Sequence, residues 1–409
     1  ITISNKFFYL ISLIGFFGIF STTISKTPVL PLLVKNGLGG SDAILGLISF
    51  FSPLAGMLFS FPIGILLDRL GFKKLMRASA FFFCAAPLGY LFISNPWWLI
   101  PLRFFHGFAT AILGPAAAAA ISRIYFTNKG EKLGLYSSMT LIGRTIAPTI
   151  GGFAIAMAAS QGLAPLLTYK TVYLIAFCAS LPILFFIPAL DCPDVKSNNK
   201  NNTKLKINDF GAGLKYFFGN KILFSTGLVE MTIYFAYGIV ETFLPVYMQK
   251  NGFTAGTIGL IFSLQVIVLA LFKPVFGYLS DTVDKRLQII IGIALTAAAV
   301  YLIIWRPHIW FIMLGSVVFG LGMAIATSAT SVYAADIAQA NKLGGVMGAL
   351  SSIMDAGQSF GPLIAGGIIT AMSSVSAGFI AIPILCLLTG VFFITANFLR
   401  NPLASNKLS

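Results

Sequence analysis

Gly46-Leu47-Ile48, followed by Gly64 and Asp68, returns 213 residues later as Gly259-Leu260-Ile261, Gly277 and Asp281. Further along, Ser137-Ser138, Gly143, Pro148 and Gly152 return as Ser351-Ser352, Gly357, Pro362 and Gly366. Lys26-Thr27, then Leu30-Pro31, corresponds to Glu241-Thr242, then Leu244-Pro245, with one gap. Apolar composition alone does not produce matches at glycine and proline, because both make specific backbone demands. The chain is therefore read as two copies of one unit.

Each copy is apolar. Of 409 residues, 57% are hydrophobic and 10% charged, against roughly 25% charged in soluble domains. With a mean hydropathy of +0.90, a soluble enzyme and a disordered chain are both excluded. A spanning helix needs about 20 apolar residues. Twelve candidates are read, near 7–33, 42–67, 75–94, 98–122, 134–158, 170–190, 222–248, 255–280, 287–305, 309–335, 344–370 and 376–399. The first run is too long for a cleavable signal and is read as span one. A polar stretch, Ser197-Asn198-Asn199-Lys200-Asn201-Asn202, separates six spans from six. The expected domains are a six-helix bundle over 1–190, a linker over 191–221 and a second six-helix bundle over 222–409. In the linker, Ile207, Phe210, Leu214 and Phe217 share one helical face, which predicts an amphipathic helix lying at the membrane interface.

Charge orients these spans. The net charge of +15 resides in short loops, so it reads as membrane topology rather than nucleic-acid binding. With the N-terminus inside, cytoplasmic segments hold 19 Lys and Arg, and the outer ones hold Lys35, Lys170, Lys250 and Arg306. Both termini are thus expected in the cytoplasm. The glycosylation pattern Asn201-Asn202-Thr203 falls on that side and is discounted. Cys84, Cys178, Cys192 and Cys386 have no metal or disulfide spacing.

Gly64-Ile65-Leu66-Leu67-Asp68-Arg69-Leu70-Gly71-Phe72-Lys73-Lys74 resembles the loop signature between spans two and three of the major facilitator superfamily. Phe72 departs from the basic residue usual there. Arg103-Phe104-Phe105-His106-Gly107 resembles the span-four motif, with His106 where Gln is common. Gly134, Gly143, Ala147-Pro148 and Gly151-Gly152 resemble the span-five motif of proton-linked antiporters, with Ala147 in place of Gly. The resemblance covers the whole chain and implies alternating access, with a lean toward export. It also implies a gate lock at Gly64, Asp68, Arg69, Gly71 and Lys73. Gly143, Ala147 and Gly151 recur every four residues and allow close helix approach. Pro148 permits a bend beside Gly152, and Gly361-Pro362 repeats the arrangement.

An ionisable residue at membrane depth is a functional candidate by default. The first half contributes Lys26, Arg103, Arg144 and His106; the second contributes Glu230, Glu241, Asp355 and Lys273. Glu230, Glu241, Asp355 and His106 are the candidates for carrying a proton. Lys26, Arg103, Arg144, Tyr234, Tyr237, Gln265 and Gln358 are the candidates for lining a substrate cavity. Lys273, near the predicted cytoplasmic end, reads as snorkelling to the interface. Glu230, Tyr234, Tyr237 and Glu241 form one stripe about 16 Å long on span seven. Lys26 and Glu241 occupy corresponding places in the repeat, so a two-fold axis along the membrane normal would let them meet when the outer end closes.

Gly357-Gln358-Ser359-Phe360-Gly361 matches a hydrolase elbow, but it lies within a helix and repeats span five, so enzyme activity is not expected. Neither a phosphate loop nor zinc ligand spacing is present in the sequence, and no cofactor or metal is expected. The expectation is an all-α membrane protein of twelve spans, acting as a single chain in a bacterial inner membrane. Its partners are the lipid bilayer, protons and a small organic substrate. Proton-coupled export is the leading reading, and transport or facilitated passage of an anionic or zwitterionic metabolite, such as a carboxylate siderophore, is the alternative.

Overall fold

The computed structural model describes residues 3–125, 127–190, 211–339 and 342–398. The side chains of residues 3, 4, 61, 64, 65 and 68 lie outside that description. Among the described residues the chain is helical, with no strand. The long helices of the first half are α1 (Ile3–Ile24), α2 (Asp42–Leu70), α3 (Phe72–Tyr90), α4 (Leu99–Ile124), α5 (Lys129–Ser160) and α6 (Pro165–Phe186). Those of the second are α7 (Lys221–Lys250), α8 (Ala255–Leu279), α9 (Lys285–Trp305), α10 (Ile309–Ile337), α11 (Leu343–Met372) and α12 (Val375–Asn397). Ten are long and apolar enough to cross a membrane. The exceptions are α3, which begins with Lys73, Lys74 and Arg77, and α11, where Asp355, Gln358 and several glycines dilute the apolar residues.

The repeat is visible at single residues. Ser41 caps α2 by accepting from the Ile44 N–H at 3.2 Å, and Thr254 caps α8 by accepting from the Thr257 N–H at 3.3 Å. Each cap satisfies one of the free N–H groups of a helix start. From these caps α2 packs on α11 and α8 packs on α5, joining the halves twice. Both contacts need glycine. A methyl on Gly46 would collide with the carbonyl oxygen of Pro362, and one on Gly259 with that of Pro148. Gly366 faces the Asp42 carbonyl, and Gly152 faces that of Ala255, its repeat equivalent. At the other end of these helices, Gly134, Gly277 and Gly344 meet nothing within 4 Å. Among the described residues the close glycine contacts of these helices lie at one end, and α5, α8 and α11 diverge at the other. The diverging end carries the basic loops, with Arg69, Lys73, Lys74, Lys129, Lys132, Lys285 and Arg286.

Two expectations change. Span one is not a single helix: α1 stops at Ile24, a turn follows, and the short helix Val29–Leu32 continues it. Pro28 disfavours the helical conformation at Thr27, and Pro31 lies close behind. The corresponding α7 carries only Pro245 and runs unbroken, which accounts for the one-residue gap in the repeat. The linker helix also differs from its reading. Residues 211–219 are helical, but Phe217 is fully buried and packs with Leu214 against Ala334, Val346 and Leu350. Its apolar face thus covers the second half rather than lipid; Ile207 and Phe210 lie outside the described residues.

Gly46→Ala and Gly259→Ala each place a methyl against a backbone carbonyl, at a cost of about 1–3 kcal/mol to the closed end. Distances between spin labels on the closed-end tips of α5 and α8 should lengthen in Gly259→Ala. In Gly46→Ala the α2–α11 distances should do the same.

Candidate functional site

The break after α1 holds Lys26 in a turn of its own, beneath the closed end. Opposite it, Glu241 projects from the unbroken α7. Lys26 Nζ lies 2.5 Å from Glu241 Oε2, which also accepts from Gln358 Nε2 at 3.1 Å. The other oxygen accepts from Thr27 Oγ1 and Tyr237 OH, each at 3.3 Å. Glu241 is only 6% exposed. A buried ion pair is tolerable when its remaining hydrogen-bonding capacity is met, and these donors meet it. The pair joins the first half to the second.

The remaining membrane-depth charges fall into two groups. Arg103 and His106 are sealed inside the first half on α4, beside Tyr90 and Tyr173. Tyr90 stacks on Tyr173 with ring centroids 4.4 Å apart, and its hydroxyl lies 3.4 Å from His106 Nδ1. Both Arg103 and His106 are thus buried within the bundle, although the Arg103 charge still acts on Lys26. Glu230 is sealed in the second half, where Thr330 Oγ1 donates to it at 2.5 Å. Gln265 is buried on α8. By contrast, Arg144 is exposed on α5, and Tyr234, Tyr237, Asp355 and Gln358 are half-buried. The Arg144 charge acts on Tyr234, Tyr237, Glu241, Lys26 and Lys273. These side chains gather about one polar space between the halves, from the turn after α1 and from α5, α7, α8 and α11. Lys273 is exposed and near enough to Glu230 for their charges to interact.

Of the predicted gate motif, Arg69 is exposed and Gly71 joins α2 to α3 at φ +84°, a conformation that favours glycine. The Asp68 side chain lies outside the described residues, as does any contact of Gly64. In the span-five motif, Gly143 packs on the Phe16 carbonyl and Gly151 on Ile24, both on α1. Ala147 and Pro148 are buried, Gly152 faces α8, and Gly361 meets the Phe235 backbone of α7.

Sequence reasoning missed a set of polar contacts at the closed end. Asn36 Nδ2 donates to Gln249 Oε1 at 2.7 Å and to Tyr169 OH at 3.0 Å. Thr149 and Ser263 hydroxyls lie 2.6 Å apart, and Ala43 N–H donates to Thr370 Oγ1 at 3.0 Å. Asn36 lies in Lys35-Asn36-Gly37, which returns as Lys250-Asn251-Gly252, so the repeat pairs it with Asn251 and gave no signal for its contact with Gln249. A separate space of about 780 Å³ beside α7, α11 and α12 is lined by apolar groups such as Met231, Phe360, Ile364 and Leu388. It offers nothing to orient a polar ligand.

Two repeat-related helical halves meeting through a glycine-tight seam, with ionisable groups between them, form a known transporter architecture. The sequence profile described as Major Facilitator Superfamily matches residues 11–253 and 226–409. The chain belongs to the major facilitator superfamily. It is an integral multi-pass membrane transporter rather than an enzyme. An uncharacterized transporter of this superfamily from Methanocaldococcus jannaschii, MJ1560, is 25% identical over 352 residues, 85% of this chain and 88% of that one. The multi-drug resistance efflux pump PmrA of Streptococcus pneumoniae is 27% identical over 292 residues, 68% of this chain and 69% of that one. Among solved structures, the nucleoside transporter NupG superposes with a TM-score of 0.81 at 13% identity, covering 96% of this chain and 100% of its own. That likeness shows the fold.

Thr330→Val leaves the sealed Glu230 carboxylate without its threonine donor and should lower stability by about 1–3 kcal/mol. Thr330→Ser keeps the donor and should unfold near the wild-type temperature in detergent.

Proposed function

We propose that the protein is a proton-coupled exporter of small organic molecules working by alternating access. Twelve spans cross a bacterial inner membrane, both termini are cytoplasmic, and a single chain suffices. The basic loops at the diverging end support this orientation, because positive loops stay inside. The conformation is then closed outside and open inside. Similarity to an efflux pump, PmrA, supports export.

One observation carries the coupling: the Lys26–Glu241 pair lies between the halves at their closed end. Protonation of Glu241 removes one charge of the pair. The outer end then loses an attraction that only the closed state makes, and the two halves can part. Outward opening is thereby tied to the protonation state of Glu241. Glu230 is a poorer carrier, since its threonine partner lies in its own half. Asp355 borders the cavity and is exposed to whatever binds there. A second reading, transport of an anionic or zwitterionic metabolite, is favoured by the basic groups Lys26, Arg144 and Lys273 around that space.

A compound that raises the unfolding temperature in a screen of cationic, neutral and anionic molecules supplies the ligand for the test. Reconstituted Glu241→Gln should lose accumulation driven by an imposed pH gradient while retaining binding and exchange. Full pH-driven accumulation in Glu241→Gln, Glu230→Gln and Asp355→Asn alike contradicts the reading.

A further inference from the structure

Arg144 and Gln358 are mates in the repeat, each following the glycine of a matching pair, Gly143 and Gly357. Gln358 is occupied: it donates to Glu241. The residue standing in the place of Glu241 in the first half is Lys26, which cannot accept from a guanidinium. The repeat therefore leaves Arg144 beside a like charge. Among the described residues no hydrogen bond or ion pair reaches it, although it is exposed at membrane depth. An unpaired arginine in such a place is costly unless something else meets its planar fork.

Asp355 is the opposite case. It sits three residues before Gln358 on the same face of α11, half-buried, and among the described residues no hydrogen bond or ion pair reaches it either. The facing helix makes room for it. A methyl on Gly56 of α2 would lie 2.9 Å from Asp355 Oδ2, so the glycine leaves the carboxylate its space. Tyr234 and Tyr237, half-buried on α7, have ring centroids 6.3 Å apart at 70°, and the charge that acts on Asp355 is that of Lys26, which Glu241 already holds. Arg144 and Asp355 both act on Tyr234. The other carboxylates are already engaged, Glu241 by Lys26 and Glu230 by Thr330.

We propose that Arg144, Asp355 and the Tyr234–Tyr237 pair form one binding site for amphoteric aromatic molecules. A carboxylate or phosphate of the ligand takes two hydrogen bonds from Arg144, a protonated amine meets Asp355, and the ring lies against the tyrosines. A singly charged ligand leaves one of the two protein charges without its contact, and this difference sets the specificity. The proposal rests on reading this space as the transport path.

The test uses purified full chain and a matched series: para-(aminomethyl)benzoate, its methyl ester, its N-acetyl derivative, and the corresponding biphenyl set. In wild type the parent of one set should bind at least about tenfold more tightly than its ester or its amide, the worth of one charge-assisted contact. Arg144→Gln should erase the preference for parent over ester, and Asp355→Asn the preference for parent over amide. Arg144→Lys should keep part of the first preference, because a point charge only partly replaces the fork. Each variant retains binding of the derivative that lacks the deleted contact, which shows that it is folded. Equal affinities across the wild-type series overturn the site. So does the absence of binding by either set, or loss of every ligand in both variants. Counterflow into proteoliposomes separates the two readings: selective binding without counterflow keeps the site and contradicts transport.

Discussion

A charge at membrane depth must find a partner, and the contact between Lys26 and Glu241 is how this protein meets that constraint between its halves. The surrounding structure serves the contact. The turn after Ile24 frees Lys26 to reach across, the unbroken α7 holds Glu241 still, and Gln358, Tyr237 and Thr27 complete the carboxylate. Glycine contacts between α2 and α11 and between α5 and α8 bring the two halves close enough for the pair to form. Polar bonds such as Asn36 to Gln249 reinforce the same end. Among the described residues the contacts between the halves gather at this end, above the polar space between them.

The distribution of charge then follows from an imperfect repeat. The repeat makes Lys26 and Glu241, and likewise Arg144 and Gln358, symmetry mates. Where the mates have opposite charge they bind each other across the axis. Where they do not, as at Arg144, a charge is left facing the cavity. Sealed groups such as Arg103 and Glu230 stay within one half and move with it, which suits support of the bundle rather than gating.

Most of the fold was legible because the residues that mark it have strict backbone demands. Glycine and proline positions gave the repeat, and the repeat gave the two halves and the seam. The helix break after Ile24 was harder to see, since a continuous apolar run from Phe7 to Leu33 reads as one span until Pro28 is weighed. The linker helix was legible as amphipathic, but an apolar face looks the same whether lipid or protein covers it. Within the site, the meeting of Lys26 with Glu241 followed from symmetry. The sealing of Arg103 and His106 behind Tyr90 and Tyr173 did not, because burial depends on neighbouring helices that the local sequence does not name.

The central claim is that the Lys26–Glu241 attraction holds the closed end shut. A charge-swap series tests it most directly, with distances read between spin labels on the closed-end tips of α1 and α7. Lys26→Glu and Glu241→Lys should each shift the distribution to longer distances, since like charges now face each other. The double variant should restore the short distances of the wild type, even if pH-driven transport stays lost. An unchanged distribution in both single variants would contradict the account.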